Sequence, residues 1–370
     1  MFLRKLLLKN FRLFTFRELN FSEGINLITG KNGVGKTSIL EAIHYVALTK
    51  SFRTSIDKNT IQHSQPYFDI DTNLILNTNV EKNIRFHYSP LEGKQLFFDK
   101  NRVSKFSEYI GTIPCVILTP DDLKLTYGSP FERRRFLNVL LSQVSTIYLD
   151  NLKNYRKSLQ QRNALLSNNN ETKVKTQIDI WNRQLIKYGT EIIKKRLEFV
   201  EFLNDNLTLH YQNYTNSSDL ISSRYRSSID VQVEQMNLND IEAEYCKKLN
   251  LSFSYDYKQK TTSIGPHRED ITFYKNKKSF KEFGSQGENK TLIVVLKFIE
   301  WFYLTRNRNI NPLLLLDDLF GELDHSRMKG LLKYLSNIGQ AFITTTMRDK
   351  FESEIIGKTI LLNNGKTSNA

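Results

Sequence analysis

The chain of 370 residues is poor in cysteine and contains no long apolar run. Its two cysteines, Cys115 and Cys246, lie far apart and form no C-x-x-C pair, so neither a zinc site nor a disulfide scaffold is predicted. This cysteine usage fits a reducing, cytoplasmic compartment. No stretch of about 18 apolar residues occurs, and Lys9 interrupts the short apolar N-terminal run, so neither a transmembrane helix nor a signal peptide is predicted.

Positive charge is what the chain has in excess. Lysine and arginine number 53 against 39 aspartates and glutamates, which gives a formal net charge of +14. Such a surface attracts polyanions, and nucleic acid is the usual one. The alternative is a basic protein with no anionic partner, and charge alone does not separate the two.

The stretch Gly30–Thr37 reads GKNGVGKT and fits G-x-x-x-x-G-K-[ST], the phosphate loop of many ATPases and GTPases. A predicted strand precedes it and a predicted helix, Ser38–Leu48, follows it, which is the context that the motif requires. Lys36 is expected to reach the β- and γ-phosphates, and Thr37 to bind Mg²⁺. The predicted nucleotide-binding residues of this loop are Gly30, Lys31, Asn32, Gly33, Val34, Gly35, Lys36, Thr37 and Ser38.

A second motif, LLLLDD at Leu313–Asp318, predicts a strand buried on both faces that ends in two carboxylates. Asp317 is expected to hold Mg²⁺, and Asp318 to orient or deprotonate an attacking water. Asp317, Asp318 and Lys36 are therefore candidate catalytic residues. Read alone, the pair could instead cap a helix, but the phosphate loop makes that interpretation unfavourable.

The stretch GSQGENKT places Ser285, Gln286 and Gly287 at the start of an apolar helix. Helix N-termini bind anions, and since the phosphate loop already serves one nucleotide, this second terminus would suit the nucleotide of a partner subunit. The alternative is an ordinary capping box between Ser285 and Glu288. The residues alone favour neither.

Along the chain, a β-rich region with one phosphate-loop helix gives way after Pro120 to helices. From Pro130 an apolar stripe at steps of three and four predicts one long helix, and a second follows the turn near Asn168. The segment LNLSFSYDY, Leu249–Tyr257, is predicted as a strand. The predicted organisation is an α/β ATPase lobe built from residues 1–120 and 263–370, with a helical second lobe at 121–262.

Several motifs in one order resemble the RecF family, within the SMC and ABC-type ATPases. They are LKNFR (Leu8–Arg12), the phosphate loop with its flanks, SFRT (Ser51–Thr54), SPFERRRFL (Ser129–Leu137), GPHRED (Gly265–Asp270), GSQGENKT and LLLLDDLFGELD. The resemblance implies an ABC/SMC-type P-loop ATPase head with an inserted helical lobe.

The resemblance also implies residue roles. Ser285, Gln286 and Gly287 match the signature loop that contacts the γ-phosphate across a dimer, and Glu322–Asp324 match the dimer-interface loop. Asp317 matches the Walker B aspartate and Asp318 the catalytic carboxylate. Thr346 falls where transporter-type heads carry a histidine switch, and Thr119–Asp122 where they carry a glutamine, so both positions depart from the wider pattern.

The function that the resemblance implies is ATP- and Mg²⁺-dependent DNA binding in recombinational repair, replication and the SOS response to DNA damage. A homodimer closed by ATP would clamp double-stranded DNA near single-strand gaps, and weak, DNA-stimulated hydrolysis would release it. Partner proteins of the RecR/RecO type are implied. The alternative is an ABC-type ATPase subunit of another DNA-maintenance or transport complex.

Basic side chains on the predicted helices would suit phosphate backbones without reading bases, although a solvated basic face is equally compatible. The residues are Arg133, Arg134, Arg135, Lys153, Arg156, Lys157, Lys194 and Lys195. Arg12, Arg53 and the GPHRED segment could touch nucleotide, DNA or neither. His267 has no histidine or cysteine nearby, which argues against a metal site.

Overall fold

The chain divides into two compact units in a computed structural model. The structure describes residues 1–76, 80–229, 237–318, 325–336, 338–346, 357–363 and 366–369, without the side chains of 325, 326 and 366–369. The first unit comprises Met1–Asp122, Asn213–Asn216 and Val294–Ala370, and the second comprises Leu123–Gln212 and Ser217–Ile293.

The first unit holds two sheets in its described part. One is antiparallel, with the spatial order β2 (Phe14–Asn20), β1 (Phe2–Phe11), β4 (Phe68–Ile75), β5 (Glu81–Ser89), β6 (Gly93–Phe98) and β7 (Asn101–Arg102). The other is mainly parallel, with the order β15 (Lys366–Asn369), β14 (Gly357–Asn363), β3 (Ile25–Thr29), β13 (Ala341–Thr345), β12 (Leu313–Asp317) and β8 (Cys115–Leu118).

The parallel sheet confirms the strands predicted before the phosphate loop and at LLLLDD, which are β3 and β12. All five residues of β12 and of β13 are buried, as expected for strands covered on both faces. The register pairs Asp317 with Thr344, and Thr345 with Thr29. The carboxyl ends of β12, β13 and β3 therefore meet at one edge of the sheet.

Helix α1 (Lys36–Leu48) is the centre of the core of the first unit. Every residue of α1 except Thr37 is buried, because the helix contacts β1 of one sheet and β8, β12 and β13 of the other. The ring of Tyr45 meets Phe68 and Phe86 edge to face at 5.4 and 5.5 Å. Enclosure by both sheets buries even the polar residues of this helix, among them Glu41 and His44.

The remaining helices lie mostly in the second unit. They are α3 (Lys124–Tyr127), α4 (Pro130–Val144), α5 (Thr146–Leu166), α6 (Glu171–Thr215), α7 (Leu238–Leu251), α8 (Phe253–Gln259), α9 (Phe280–Phe283) and the first part of α10 (Gln286–Arg308). Helices α2 (Phe106–Tyr109) and α11 (His325–Leu335) belong to the first unit. The second unit also contains a sheet of order β11 (Lys278–Ser279), β10 (Asp270–Lys275) and β9 (Ile221–Arg226).

The long helix predicted from Pro130 is two helices, α4 and α5. Ser145 between them has extended dihedrals, φ −139° and ψ 120°, and its hydroxyl accepts a hydrogen bond from the N–H of Tyr148. The apolar steps of three and four continue on both sides of the break, so periodicity alone did not show it. A serine N-cap decides the boundary here.

The strand predicted at Leu249–Tyr257 is wrong, because the segment joins α7 to α8. Ile241, Tyr245 and Leu249 recur every four residues and form the buried face of α7. Strand β9 was not predicted, since its inward residues include Ser223, whose hydroxyl and N–H bond to Asn204. A small polar residue facing inward hides the alternation that identifies a strand.

Residues 263–293, which the sequence analysis grouped with the ATPase lobe, lie in the second unit. The physical reason is strand pairing, since β10 pairs with β9 from Asp270↔Arg226 to Lys275↔Ile221.

Within the described residues, none of the helices combines the length and apolar character needed to cross a bilayer.

Gly265 occupies a position in the second unit that only glycine fits. Its φ is +128°, and an added Cβ would collide with the hydroxyls of Tyr245 and Tyr155. We expect Gly265→Ala to lower the free energy of unfolding by at least about 2 kcal/mol, because both backbone strain and overpacking oppose it. Gly93→Ala is the matched control, since its φ is +72° but nothing lies within 4 Å of the added Cβ. Denaturant unfolding of both variants tests this, and equal losses would show that the tyrosine contacts are unimportant.

Candidate functional site

The phosphate loop follows directly from the central strand β3 and ends at the first turn of α1. Gly30, Gly33 and Gly35 have φ values of 153°, 81° and 99°. An added Cβ at Gly35 would lie 2.5 Å from the ring of Phe14. The glycines are thus required by backbone conformation and, at Gly35, by a close neighbour.

Lys36 folds back over the loop that precedes it. Its ammonium donates hydrogen bonds to the carbonyl oxygens of Gly30 at 2.8 Å and Lys31 at 2.9 Å. Burial lowers the pKa of Lys36, while the carboxylates of Asp318 and Asp317 oppose that shift. The cation is therefore held over the loop, where phosphate oxygens can replace the carbonyls as acceptors.

Asp317 joins the phosphate-loop helix to the parallel sheet. Its Oδ1 accepts hydrogen bonds from the hydroxyl of Thr37 at 2.9 Å and from that of Thr344 at 2.8 Å. Burial raises the pKa of Asp317, and the two hydroxyls oppose this by stabilising the carboxylate. Thr37 and Asp317 are the residues that could hold Mg²⁺, which commonly uses one or two protein groups together with substrate phosphates.

Asp318 occupies a left-handed backbone conformation, with φ 49°, immediately after β12. Its N–H donates to the hydroxyl of Thr344 at 3.0 Å, and the residue is exposed. Aspartate tolerates this conformation better than most residues do. The turn directs Asp318 away from the strand in which Asp317 is buried, so adjacent carboxylates have different environments.

Thr344 is a site residue that the sequence analysis missed. It is fully buried and contacts both Asp317 and the backbone of Asp318, whereas the predicted Thr346 is exposed two residues further on. The signal was present in the run TTT at the end of a buried strand, because residues two apart in a strand point to the same face and Thr344, unlike Thr346, lies within β13. The loop Glu322–Asp324 lies outside the described residues.

Arg12 and Arg53 surround a buried carboxylate of α1. Nε and Nη2 of Arg12 donate to the two oxygens of Glu41 at 2.9 and 2.6 Å, and Glu41 is fully buried. Ser51 donates to the same carboxylate, and Arg53 lies 3.7 Å from it. The segments KNFR and SFRT are thus joined through α1, which explains Arg12 structurally, while half-exposed Arg53 retains a free surface.

Ser285 forms the capping box that the sequence offered as one alternative. Its N–H donates to Glu288 Oε2 at 2.8 Å, and its hydroxyl accepts from the Glu288 N–H at 3.2 Å. Lys275 lies 2.6 Å from Glu288 and lowers the pKa of that carboxyl. Ser285 and Gln286 are exposed at the N-terminus of α10, so the capping box and an anion site are geometrically compatible.

The segment Thr119–Asp122 carries an aspartate where transporter-type heads carry a glutamine. Asp122 Oδ2 accepts hydrogen bonds from the N–H and hydroxyl of Thr119 at 2.7 and 3.0 Å. Its Oδ1 lies 3.1 Å from the ammonium of Lys297, which is 3.2 Å from Glu300. Burial opposes the charge on Lys297, but the two carboxyls outweigh it and raise the pKa of Lys297. A buried ion cluster thus ties this segment to α10 within the first unit.

Arg133 does not belong to an exposed basic face, and its prediction as a DNA contact is corrected. It is buried, and its Nε and Nη2 donate to the two carboxylate oxygens of Asp270 at 2.7 and 2.8 Å. Its neighbour Arg134 donates to the carbonyl of Glu269 at 2.9 Å and is half-buried. Both side chains serve the packing of α4 against the GPHRED segment.

The other predicted DNA contacts have more open positions. Arg135, Arg156 and Lys157 are exposed. Lys153 is exposed beside Asp150 at 3.6 Å, Lys195 pairs with Glu198 at 2.7 Å, and Lys194 is half-buried. Among the predicted DNA contacts, the exposed side chains therefore lie on α5 and at Arg135 of α4.

The GPHRED segment is mainly structural. Glu269 is buried and accepts hydrogen bonds from Tyr225, from Ser227 at 2.8 Å and from Arg196 at 3.4 Å. The ring of His267 accepts from or donates to Tyr155 at 2.6 Å, and burial lowers the pKa of His267 to about 4. Within this segment Arg268 is the most exposed residue, and His267 and Asp270 are partly buried.

Comparison with known proteins places this architecture in a family. The chain matches the family model RecF/RecN/SMC N terminal domain over residues 2–364. It is 38% identical over 336 residues to the DNA replication and repair protein RecF of Chloroherpeton thalassium (strain ATCC 35110 / GB-78), covering 89% of this chain and 90% of that protein. The RecF protein of Bacillus cereus (strain AH820) is 35% identical over 376 residues, with coverage of 99% and 98%.

Solved structures agree with the sequence relatives. The structure of the recombination mediator protein RecF-ATP in the RecFOR pathway aligns with a TM-score of 0.90 at 30% identity, covering 100% of this chain and 99% of that one. An SmcHead bound to the C-winged helix domain of ScpA aligns with a TM-score of 0.56 at 16% identity, covering 100% and 97%. The second likeness concerns the fold alone.

The Asp122–Lys297–Glu300 cluster predicts a pH-dependent stability. Burial, together with Asp122, raises the pKa of Glu300 to about 7, although Lys297 opposes the shift. The folded chain therefore keeps a proton that the unfolded chain releases at lower pH, and stability falls as the pH rises from about 5 to about 7. Glu300→Gln has no carboxyl group at this position that could ionise. The Tm of this variant minus the Tm of wild type should therefore increase by at least about 2 °C from pH 5 to pH 8. Glu108→Gln, on the surface of the same unit, should show no such trend; parallel pH profiles for Glu300→Gln and wild type would contradict the assignment.

Proposed function

This chain belongs to the RecF family, and we propose that it is an ATP-dependent DNA-binding protein of recombinational repair and replication. The observation that carries the proposal is the hydrogen bond of 2.9 Å between Thr37 and Asp317, which are 280 residues apart. It brings the phosphate loop and the carboxylate strand together as a nucleotide site requires.

ATP with Mg²⁺ is the proposed cofactor. Lys36 would exchange the carbonyls of Gly30 and Lys31 for β- and γ-phosphate oxygens, and the loop N–H groups would bind the remaining oxygens. Thr37 and Asp317 would hold Mg²⁺, which neutralises phosphate charge when bound. The RecF-ATP structure that this chain resembles supports the nucleotide assignment.

Hydrolysis is proposed to be slow and to act as a switch that DNA stimulates. Asp318 would orient or deprotonate the attacking water, since it is exposed beside the buried Asp317 and its backbone is held by Thr344. Its side chain is one methylene shorter than the glutamate usual in such heads, which favours weak turnover. Thr346 stays a predicted position for γ-phosphate sensing.

A homodimer closed by ATP is the proposed active form. Ser285, Gln286 and Gly287 at the N-terminus of α10 would bind the γ-phosphate held by the partner subunit. The capping box leaves this possible, because the Ser285 oxygen accepts from Glu288 while its O–H can still donate. Lys275 offsets the negative charge of Glu288 near that phosphate.

The proposed DNA surface lies on the second unit. Four of the predicted basic side chains are exposed: Arg135, Lys153, Arg156 and Lys157. Exposed lysines and arginines suit contacts with the phosphate backbone, which do not read the bases. We propose that the dimer clamps double-stranded DNA near single-strand gaps and acts in the cytoplasm with partners of the RecR/RecO type. The RecFOR pathway named for the structural neighbour supports such partners.

Lys36→Ala should remove ATP-dependent binding to gapped DNA. Loss of a charge-assisted contact to phosphate should weaken ATP binding by roughly 10–100-fold. Fluorescence anisotropy of labelled gapped DNA, with and without ATP, measures the effect. Lys105→Ala removes the same charge from an exposed position and should bind like wild type. If Lys36→Ala binds DNA with ATP as wild type does, the ATP-dependent clamp is excluded.

Ser285→Ala should reduce ATP-dependent dimerisation, measured by analytical ultracentrifugation. Ser145→Ala is a matched control, because both serine hydroxyls accept from the N–H three residues on at 3.2 Å. Each variant should lose about 1 kcal/mol of stability through its missing N-cap. Only Ser285→Ala should dimerise more weakly, by at least about tenfold in Kd. Equal dimerisation of the two variants would leave Ser285 as a helix cap alone.

A further inference from the structure

Arg17 is a buried arginine on the edge strand β2 of the antiparallel sheet. It lies opposite Leu8, which is fully buried, and Leu19 follows on the same face of the strand. Only 7% of Arg17 is exposed. A permanently charged side chain thus faces the apolar interior of the first unit.

Among the described residues, Arg17 is not neutralised by any acid. Its Nε is inaccessible to solvent and has no hydrogen-bond acceptor there. Burial lowers the pKa of Arg17, and no charged neighbour contributes to that shift. The described contact of its guanidinium is with the ring of Phe14, at 5.8 Å from Cζ to the centroid.

The other buried arginines show that this chain ordinarily pairs such a charge. Each contacts a carboxylate: Arg133 with Asp270 at 2.7 Å, Arg162 with Asp256 at 2.8 Å and Arg196 with Glu269 at 3.4 Å. A buried guanidinium nitrogen without an acceptor is costly, because its desolvation is not offset by a hydrogen bond. Arg17 is the exception among them, and an anion from outside the described residues would remove that cost.

The position of Arg17 indicates which anion. Phe14, the ring that the guanidinium contacts, packs against Gly35 at the end of the phosphate loop. Lys36 turns to the opposite end of the loop, toward Gly30 and Lys31, and Thr37 turns toward Asp317. Lys36 and Thr37 thus turn away from the Gly35 end of the loop, whereas Arg17 lies next to that end through Phe14.

We propose that Arg17 is a nucleotide-binding residue whose guanidinium donates to a phosphate oxygen of the nucleotide held by the loop. This inference rests on the proposed function, since it takes the nucleotide to be the occupant of the phosphate loop. Guanidinium is suited to this task, because its planar donors match phosphate oxygens and it stays charged when buried. Phe14 positions the guanidinium through its ring face.

The test compares Arg17→Gln, Arg17→Lys and Arg133→Gln with wild type, using ADP and Mg²⁺ as the ligand. Isothermal titration gives the Kd, and thermal unfolding without nucleotide gives the Tm. Arg17→Gln should raise the Kd for ADP by at least about tenfold while the nucleotide-free Tm stays unchanged or rises, because a costly unpaired charge is removed. The Kd of Arg17→Lys for ADP should lie between those of wild type and Arg17→Gln. Arg133→Gln should lower the Tm and leave the Kd for ADP unchanged, because it breaks a buried pair.

Two results would overturn the assignment. One is wild-type ADP affinity in Arg17→Gln, and the other is a lowered nucleotide-free Tm or failure to fold, since both would mean that Arg17 has a structural partner. Failure of the proposed function gives a different result: wild type itself would bind neither ADP nor ATP.

Discussion

The carboxylate of Asp317 is the point on which the arrangement of the nucleotide site depends. It accepts hydrogen bonds from Thr37 at the start of α1 and from Thr344 at the end of β13. Parallel strands place their carboxyl ends at one edge of a sheet, and ligands of α/β proteins bind at such edges. Because β3, β13 and β12 align there, residues distant in sequence become one site.

The same edge of the sheet places two adjacent carboxylates in different environments. Asp317 ends a fully buried strand, and its pKa is raised by burial, whereas Asp318 turns into a left-handed conformation and is exposed. Thr344 touches the side chain of one and the backbone of the other. The difference between a buried and an exposed carboxylate in adjacent positions is thus built by one strand end.

Buried arginines in this chain are of two kinds, those paired with a carboxylate and one that is not. In the second unit, buried arginines are matched by carboxylates far away in sequence, and these pairs connect α4 to β10, α5 to α8, and α6 to the segment before β10. In the first unit, Arg12 is likewise matched by Glu41, whereas Arg17 has no matching acid among the described residues. A net charge of +14 therefore does not describe a uniformly basic surface, since several of its cations are interior.

The sequence by itself determined the family, the parallel strands and the phosphate loop. Those features are local: a glycine pattern, a run of leucines and a strand–loop–helix order can be read without knowing what lies across the fold. Both alternatives at Ser285 were also readable, because a capping box spans only three residues. Only the tertiary structure decided that Arg133 is buried against Asp270, that Thr344 rather than Thr346 contacts Asp317, and that Leu249–Tyr257 is helical. Burial and pairing depend on contacts between residues up to hundreds of positions apart, and no local pattern of residue types contains them.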